Sequence, residues 1–325
     1  MLTARDIRGV TAMVPTPCKE GAGGWDVPDS VDLDEAARMT EMLIGAGVGS
    51  IAACGTTGEC AALLWEEKRD FVDTIVQVAR RRVPVFGGAT ALGTKEMLRQ
   101  MRGFRDLGAD GSFVGLPLWQ TPTMENSVQF FAELSQALPD VPIMVYANAM
   151  FFKSNFPTVF WEGVAKKAPT VITTKIAYGI EHLKEDLDAT GGRINFQPGQ
   201  SNAYAAYKMV GSRVSAFWST TIAMGPEPVV ALSDAMLKND SARVEEIWED
   251  ISSVPPAVPR GEFVTGFPEY NAQVNKWFTN AAGYIKGGPM RSPYRDLPEH
   301  WKMQAEQHAA AWTKLRQKYV RAERA

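Results

Sequence analysis

The chain has 325 residues, 45% of them hydrophobic and 22% charged, with a formal net charge of −3. That length suits one barrel-sized domain with an appendage, and the composition excludes a disordered or fibrous protein. Lysine and arginine are scattered rather than clustered, which argues against a nucleic-acid groove and for a small-molecule partner.

Short runs of β-branched and apolar residues alternate with helical patterns from the N-terminus to about residue 220, the signature of a parallel sheet wrapped by helices. The predicted strands cover residues 9–14, 50–54, 83–87, 111–115, 141–146, 171–175, 193–197 and 213–218. The helices between them cover 33–46, 65–82, 94–107, 124–138, 157–167, 180–189, 201–210 and 226–237. That number of units makes an α/β protein of the (β/α)8 TIM-barrel type, and no G-x-G-x-x-G opens a helix after the first strand, which disfavours a dinucleotide fold. Past residue 237 the strand signal stops, and residues 241–253, 271–285 and 299–323 read as a helical annex. Pro255, Pro256 and Pro259, then Gly287, Gly288 and Pro289, punctuate it. The expected organisation is a catalytic barrel over residues 1–238 and a C-terminal helical region over 239–325.

Cys18, Cys54 and Cys60 are odd in number and form no CxxC pair, which argues against a disulfide framework and fits a reducing cytosol. The first residues lack a cationic stretch followed by an apolar one, and no apolar run is long enough to span a bilayer, so a cytoplasmic location is expected. The histidines, His182, His300 and His308, all fall outside the predicted strand ends, so no metal site is expected.

Reactive groups stand at or just beyond the ends of three of the predicted strands, and parallel barrel strands bring such ends to one mouth. Lys175 closes the run Val171, Ile172, Thr173, Thr174. A lysine needs its ordinary pKa of about 10.4 lowered by burial or neighbouring charge before its amine attacks a carbonyl at neutral pH. The other reading is a strand-end lysine whose head reaches solvent along the wall. Gly55, Thr56, Thr57, Gly58 and Glu59 combine tight backbone geometry, hydroxyls and amides, either as a nest for a carboxylate or as a strand-to-helix turn with a cap. Tyr146 is either a proton relay or a packed ring with a bonded hydroxyl.

Gly55, Thr56, Thr57, Gly58 and Glu59, then Tyr146 in Tyr-x-Asn, then Lys175 resemble the ordered signature of the dihydrodipicolinate synthase and N-acetylneuraminate lyase superfamily of class I pyruvate aldolases. The resemblance implies that Lys175 forms an imine with a pyruvyl keto carbon, that Gly55, Thr56 and Thr57 bind its carboxylate, and that Tyr146 shuttles protons without a cofactor. It also implies a homotetramer. Two departures narrow the match. Trp119 occupies the place of a second tyrosine, and the stretch after Asn148 carries Met150, Phe151 and Phe152 where many relatives have an arginine. A tryptophan cannot relay a proton, but its face can stack on an aromatic substrate.

With Trp119, Asn148, Lys175 and Trp218, the chain is similar to the hydratase-aldolases of bacterial polycyclic aromatic degradation over nearly its whole length. That likeness implies cleavage of an ortho-substituted trans-benzylidenepyruvate, an aromatic 2-oxo acid, to an aromatic aldehyde and pyruvate. Trp119 is expected to face the aryl ring, Asn148 to position water or the resulting hydroxyl, and Trp218 to contact substrate or plug the barrel. Asn271 is read as a mouth residue or a helix cap. The uncharged Gln200, Ser201 and Asn202 would not repel a second carboxylate, so the ortho-carboxyl compound is favoured over the ortho-hydroxyl one. The alternatives are another pyruvate-dependent lyase or synthase of the superfamily and a non-catalytic keto-acid sensor.

Overall fold

In the computed structural model, which describes residues 1–177, 179–263 and 265–322, strands and helices alternate through the first part of the chain. The first half-barrel runs β1 (Gly9–Met13), α1 (Leu33–Gly45), β2 (Ser50–Ala52), α2 (Trp65–Ala79), β3 (Val85–Gly88), α3 (Thr94–Asp106), β4 (Gly111–Val114) and α4 (Met124–Ala137). The second runs β5 (Ile143–Ala147), α5 (Ala149–Phe152), α6 (Thr158–Lys167), β6 (Val171–Ile176), α7 (Leu183–Ala189), β7 (Asn195–Gln197), α8 (Gln200–Val210), β8 (Ala216–Ser219) and α9 (Glu227–Leu237). The annex follows as α10 (Ser241–Ser252), α11 (Phe267–Ala282) and α12 (Glu299–Ala322).

The strands form one eight-stranded parallel sheet in the order β7-β6-β5-β4-β3-β2-β1-β8. A bridge between Gly199 and Trp218 joins the two outermost strands and completes the TIM barrel. The Trp218 ring lies so close over Gly199 that a Cβ there would come within 2.9 Å of it, so a glycine is required at this seam.

The helices begin where capping chemistry dictates. Asp32 accepts from the Glu35 amide at 2.9 Å to start α1, Thr123 from Asn126 at 3.2 Å to start α4, and Asp240 from Arg243 at 3.1 Å to start α10. The amphipathic helices bury one stripe, whereas α9 is buried over most of its surface. On α3, Met97, Met101 and Phe104 recur at helical spacing and are fully buried, each worth roughly 1.5–3 kcal/mol in apolar area removed from water. Within the barrel the polar side chains satisfy one another: Thr11 shares a hydrogen bond with Ser50 (2.7 Å) and donates to Gln197, which donates to Thr173 at 2.8 Å.

Element ends differ from the sequence expectation in identifiable ways. Residues 211–213 form a 3-10 turn, so β8 begins at Ala216 rather than 213. The α2 helix stops at Ala79 because Arg80 adopts a left-handed φ of 46°. A short helix, α5, follows Asn148 where none was expected, and α11 starts at Phe267 rather than 271 because Pro268 is well placed in its first turn. The last residue of the predicted 299–323 helix lies outside the described residues. Among the described residues, no helix is long and apolar enough to cross a membrane.

Candidate active site

Lys175 sits at the C-terminal end of β6 in register with Tyr146 of β5 on one side and Gln197 of β7 on the other. Its amine is 3.8 Å from the centroid of the Trp218 ring and 4.3 Å from that of Tyr146, so it is held between two aromatic rings. Only 7% of the residue is exposed. Removal from water penalises the ammonium form, and the pKa falls from 10.5 to about 7. The ring faces attract a cation, yet burial prevails, and a large fraction of the amine is free base at neutral pH.

Tyr146 is fixed from three sides. Its ring stacks on Phe113 at 4.8 Å and meets the edge of Phe152 at 5.3 Å. Its hydroxyl shares a 3.1 Å hydrogen bond with Thr56 Oγ1 and accepts from Asn148 Nδ2 at 3.3 Å. The Asn148 amide has one orientation available, because its Oδ1 caps α5 by accepting from the Met150 and Phe151 amides at 3.0 and 3.1 Å. The Thr56–Tyr146 hydrogen bond can run in either direction, so the two hydroxyls form a short chain along which a proton can pass. Burial pushes the Tyr146 pKa up to about 12, so the group is a standing acid at neutral pH rather than a phenolate.

Two cavities meet at Tyr146 and Asn271, which line both. The larger, about 410 Å³, contains Lys175, Thr57, Asn148, Trp218 and Asn202. The smaller, about 240 Å³, is lined by Gly55, Thr56, Cys60, Leu118, Phe151 and Phe152, among others. Most of the residues singled out in the sequence thus converge on one mouth. Asn271 reaches it from within α11, whose N-cap is Gly266, so the helix-cap reading does not hold. Trp218 has both the character of a barrel residue and a face in the cavity: its indole nitrogen donates to the Ile176 carbonyl at 2.7 Å.

Trp119 does not join the group. It is 88% exposed on the loop after β4 and lines neither cavity in the single chain. Beside Tyr146 and Trp218 of the barrel, two further aromatic rings line the larger cavity from the annex, where Phe263 and Phe267 stack at 4.9 Å. Sequence reasoning also missed Asn275, Lys276 and Arg291. Asn275 lines the Lys175 cavity, donates to the Asn271 carbonyl at 2.7 Å and has, among the described residues, no hydrogen-bond partner for its buried Oδ1. Lys276 and Arg291 bind the buried carboxylate of Glu59. The available signal for Lys276 was its spacing: it falls on the buried stripe of α11 with Ala272 and Thr279, where a lysine needs a charged partner. Among the described residues, no group of three or more His, Cys, Asp or Glu side chains is gathered as a metal site.

The family pattern of the dihydrodipicolinate synthetase family matches residues 16–311. The chain is 41% identical to the trans-O-hydroxybenzylidenepyruvate hydratase-aldolase of Pseudomonas putida, over 98% of this chain and 96% of the relative. It is 35% identical to the trans-2'-carboxybenzalpyruvate hydratase-aldolase of Nocardioides sp. (strain KP7), over 98% and 97%. The solved structure of PhdJ bound to a substrate intermediate superposes with a TM-score of 0.93 at 32% identity, covering 98% of this chain and 99% of that one. The chain belongs to the dihydrodipicolinate synthetase family and is a lyase similar to its hydratase-aldolases.

Proposed function

We propose that this protein is a Schiff-base hydratase-aldolase that cleaves an ortho-substituted trans-benzylidenepyruvate into an aromatic aldehyde and pyruvate. The observation that carries this reading is the Lys175 amine, buried between two aromatic rings with its pKa near 7, in a cavity shared with Thr57, Tyr146, Asn148 and Asn271. Lys175 attacks the keto carbon, and loss of water leaves an iminium conjugated through the double bond to the aryl ring. Water adds to the benzylic carbon, and protonation of the adjacent carbon regenerates the iminium with a hydroxyl in β position. Loss of that hydroxyl's proton breaks the carbon–carbon bond, its electrons pass into the iminium as an enamine, and the aldehyde leaves. Protonation of the enamine and hydrolysis release pyruvate and the free amine, so the lysine is the electron sink and the scheme needs no cofactor.

Gly55, Thr56 and Thr57 hold the carboxylate in this scheme, and Tyr146 passes protons through Thr56. Asn148 orients the Tyr146 hydroxyl and stands near the added water. Trp218 supports the amine from below, Asn271 takes part in substrate contact from the annex side, and Phe263 and Phe267 offer the aryl platform that Trp119 does not supply within one chain. Trp119 enters this proposal through assembly: it stands exposed with Leu64, Leu92 and Leu118 on the loops after the adjacent strands β2, β3 and β4, a surface suited to a second subunit of a homotetramer. Sedimentation at micromolar concentration tests that part.

For the ortho group, the absence of an anion among residues 200–202 makes a carboxylate tolerable. The cavity lining adds the converse argument, since Lys175 is the one charged side chain among its described residues. A second carboxylate would lose water without gaining a counter-charge, whereas a hydroxyl needs only the amides and hydroxyls present. We therefore favour the ortho-hydroxyl substrate over the ortho-carboxyl one. A competition assay with both compounds decides it, and a large preference in kcat/KM for the carboxyl compound overturns the choice. Mass spectrometry after borohydride reduction with pyruvate tests the scheme itself: a modified site other than Lys175 would reject it.

A further inference from the structure

We propose that Glu59, Lys276 and Arg291 act together as a positioning latch that sets the carboxylate-binding turn of residues 55–59 against the annex, an inference that rests on the imine reading above. Glu59 adopts a left-handed φ of 53°, uncommon for a residue with a Cβ, and is 2% exposed. Its carboxylate is fully engaged. One oxygen accepts from the Arg291 amide at 2.9 Å, while the other takes Arg291 Nη1 at 2.7 Å and the Lys276 amine. Lys276 also donates to the Pro289 carbonyl at 2.9 Å.

Arg291 then reaches the opposite side of the turn. It donates to the Thr16 and Pro17 carbonyls at 3.0 and 2.9 Å, and the Thr16 hydroxyl donates in turn to the Gly58 carbonyl at 2.8 Å. Through Nε it bonds Ser30, whose hydroxyl and amide both bond Glu67. Two carboxylates and two cations therefore form one buried, connected network that balances its own charge. The segment bearing Arg291 is seated by Gly288, which sits at φ 70° so close to Cys18 that a Cβ would overlap the Cys18 carbonyl.

The latch has a function beyond cohesion because of what its members carry. Glu59 ends the turn whose Thr56 and Thr57 line the two cavities. Lys276 follows Asn271 and Asn275 on α11, and both asparagines line the Lys175 cavity. One set of ion pairs thus registers the carboxylate wall against the annex wall. In a rigid turn the hydroxyls and amides meet a carboxylate without reorganisation, whereas a turn released from Glu59 must be ordered by the ligand itself.

The test is imine trapping by borohydride with two ketones, pyruvate and acetone, which differ in the carboxylate. In Lys276→Met, half-maximal trapping should require about tenfold more pyruvate than in the wild type, while trapping by acetone at a fixed concentration stays within about twofold. Lys276→Arg, which retains a long cation, should return the pyruvate requirement towards the wild-type value. If Lys276→Met does not fold, the neutral pair Glu59→Gln with Lys276→Met removes the stranded carboxylate and should show the same selective shift. Equal loss with both ketones, or no loss with either, overturns the latch while leaving the imine reading intact. Failure of the wild type to be trapped by pyruvate overturns both.

Discussion

Two buried lysines, Lys175 in the barrel and Lys276 in the annex, have opposite surroundings. Lys276 in the annex meets a carboxylate and a backbone carbonyl, whereas Lys175 in the barrel meets the faces of Trp218 and Tyr146. Burial lowers the pKa of both amines, but the Glu59 carboxylate opposes the shift at Lys276, while at Lys175 the ring faces only weakly resist it. The contrast separates two uses of a desolvated amine. Paired with an anion, the amine joins chain segments; left among rings, it is available to the proposed scheme as a nucleophile, at the expense of stability.

Substitutions at the two lysines should therefore diverge. Lys175→Met is expected to reduce turnover to the uncatalysed background while stabilising the fold by on the order of 4 kcal/mol at neutral pH, read from chemical denaturation. Lys276→Met is expected to do the reverse in stability, costing about 3–5 kcal/mol because Glu59 remains buried with part of its compensation gone. Matching stability changes for the two variants would erase the distinction.

Tyr146→Phe should lower kcat by about 10²–10⁴-fold, the range for loss of a positioned proton donor, with a smaller change in pyruvate trapping. The pH dependence sharpens the assignment of Lys175. Its folded pKa is about 7 against an ordinary value of 10.5, so the rate of imine formation should fall tenfold per unit below pH ~7 and level off above it. For stability the sign is opposite to that of a paired lysine. Below pH ~7 the amine is charged in both states and the full penalty of burying it is present. Between about 7 and 10.5 the unfolded chain binds more protons, so stability rises with pH across that window. Comparing denaturation of the wild type and Lys175→Met at pH 7 and 10 measures this directly, and a constant difference would refute it. The smallest effect is expected at Asn148. Asn148→Asp keeps the cap on α5 but cannot donate to Tyr146, so it should lower activity with little change in stability, whereas Asn148→Ala loses the cap as well, about 1 kcal/mol.

The sequence by itself determined the alternation of strands and helices, because each barrel strand and each amphipathic helix is a local pattern with its own turn and capping residues. It also determined that Lys175, Tyr146 and the turn of residues 55–59 would share a mouth, since parallel strands present all their C-terminal ends on one face. Only the tertiary structure decided the rest. Glu59 looks like a turn residue with a capping role when read locally, and its partners Lys276 and Arg291 lie 217 and 232 positions away in the chain. Asn271 seemed a cap until the start of α11 moved to Phe267, and Trp119 looked like a pocket residue until its loop placed it in solvent. Ion pairs and apolar faces across such separations leave no periodic trace in the chain, because the geometry that brings them together exists only after the barrel has closed and the annex has docked on it.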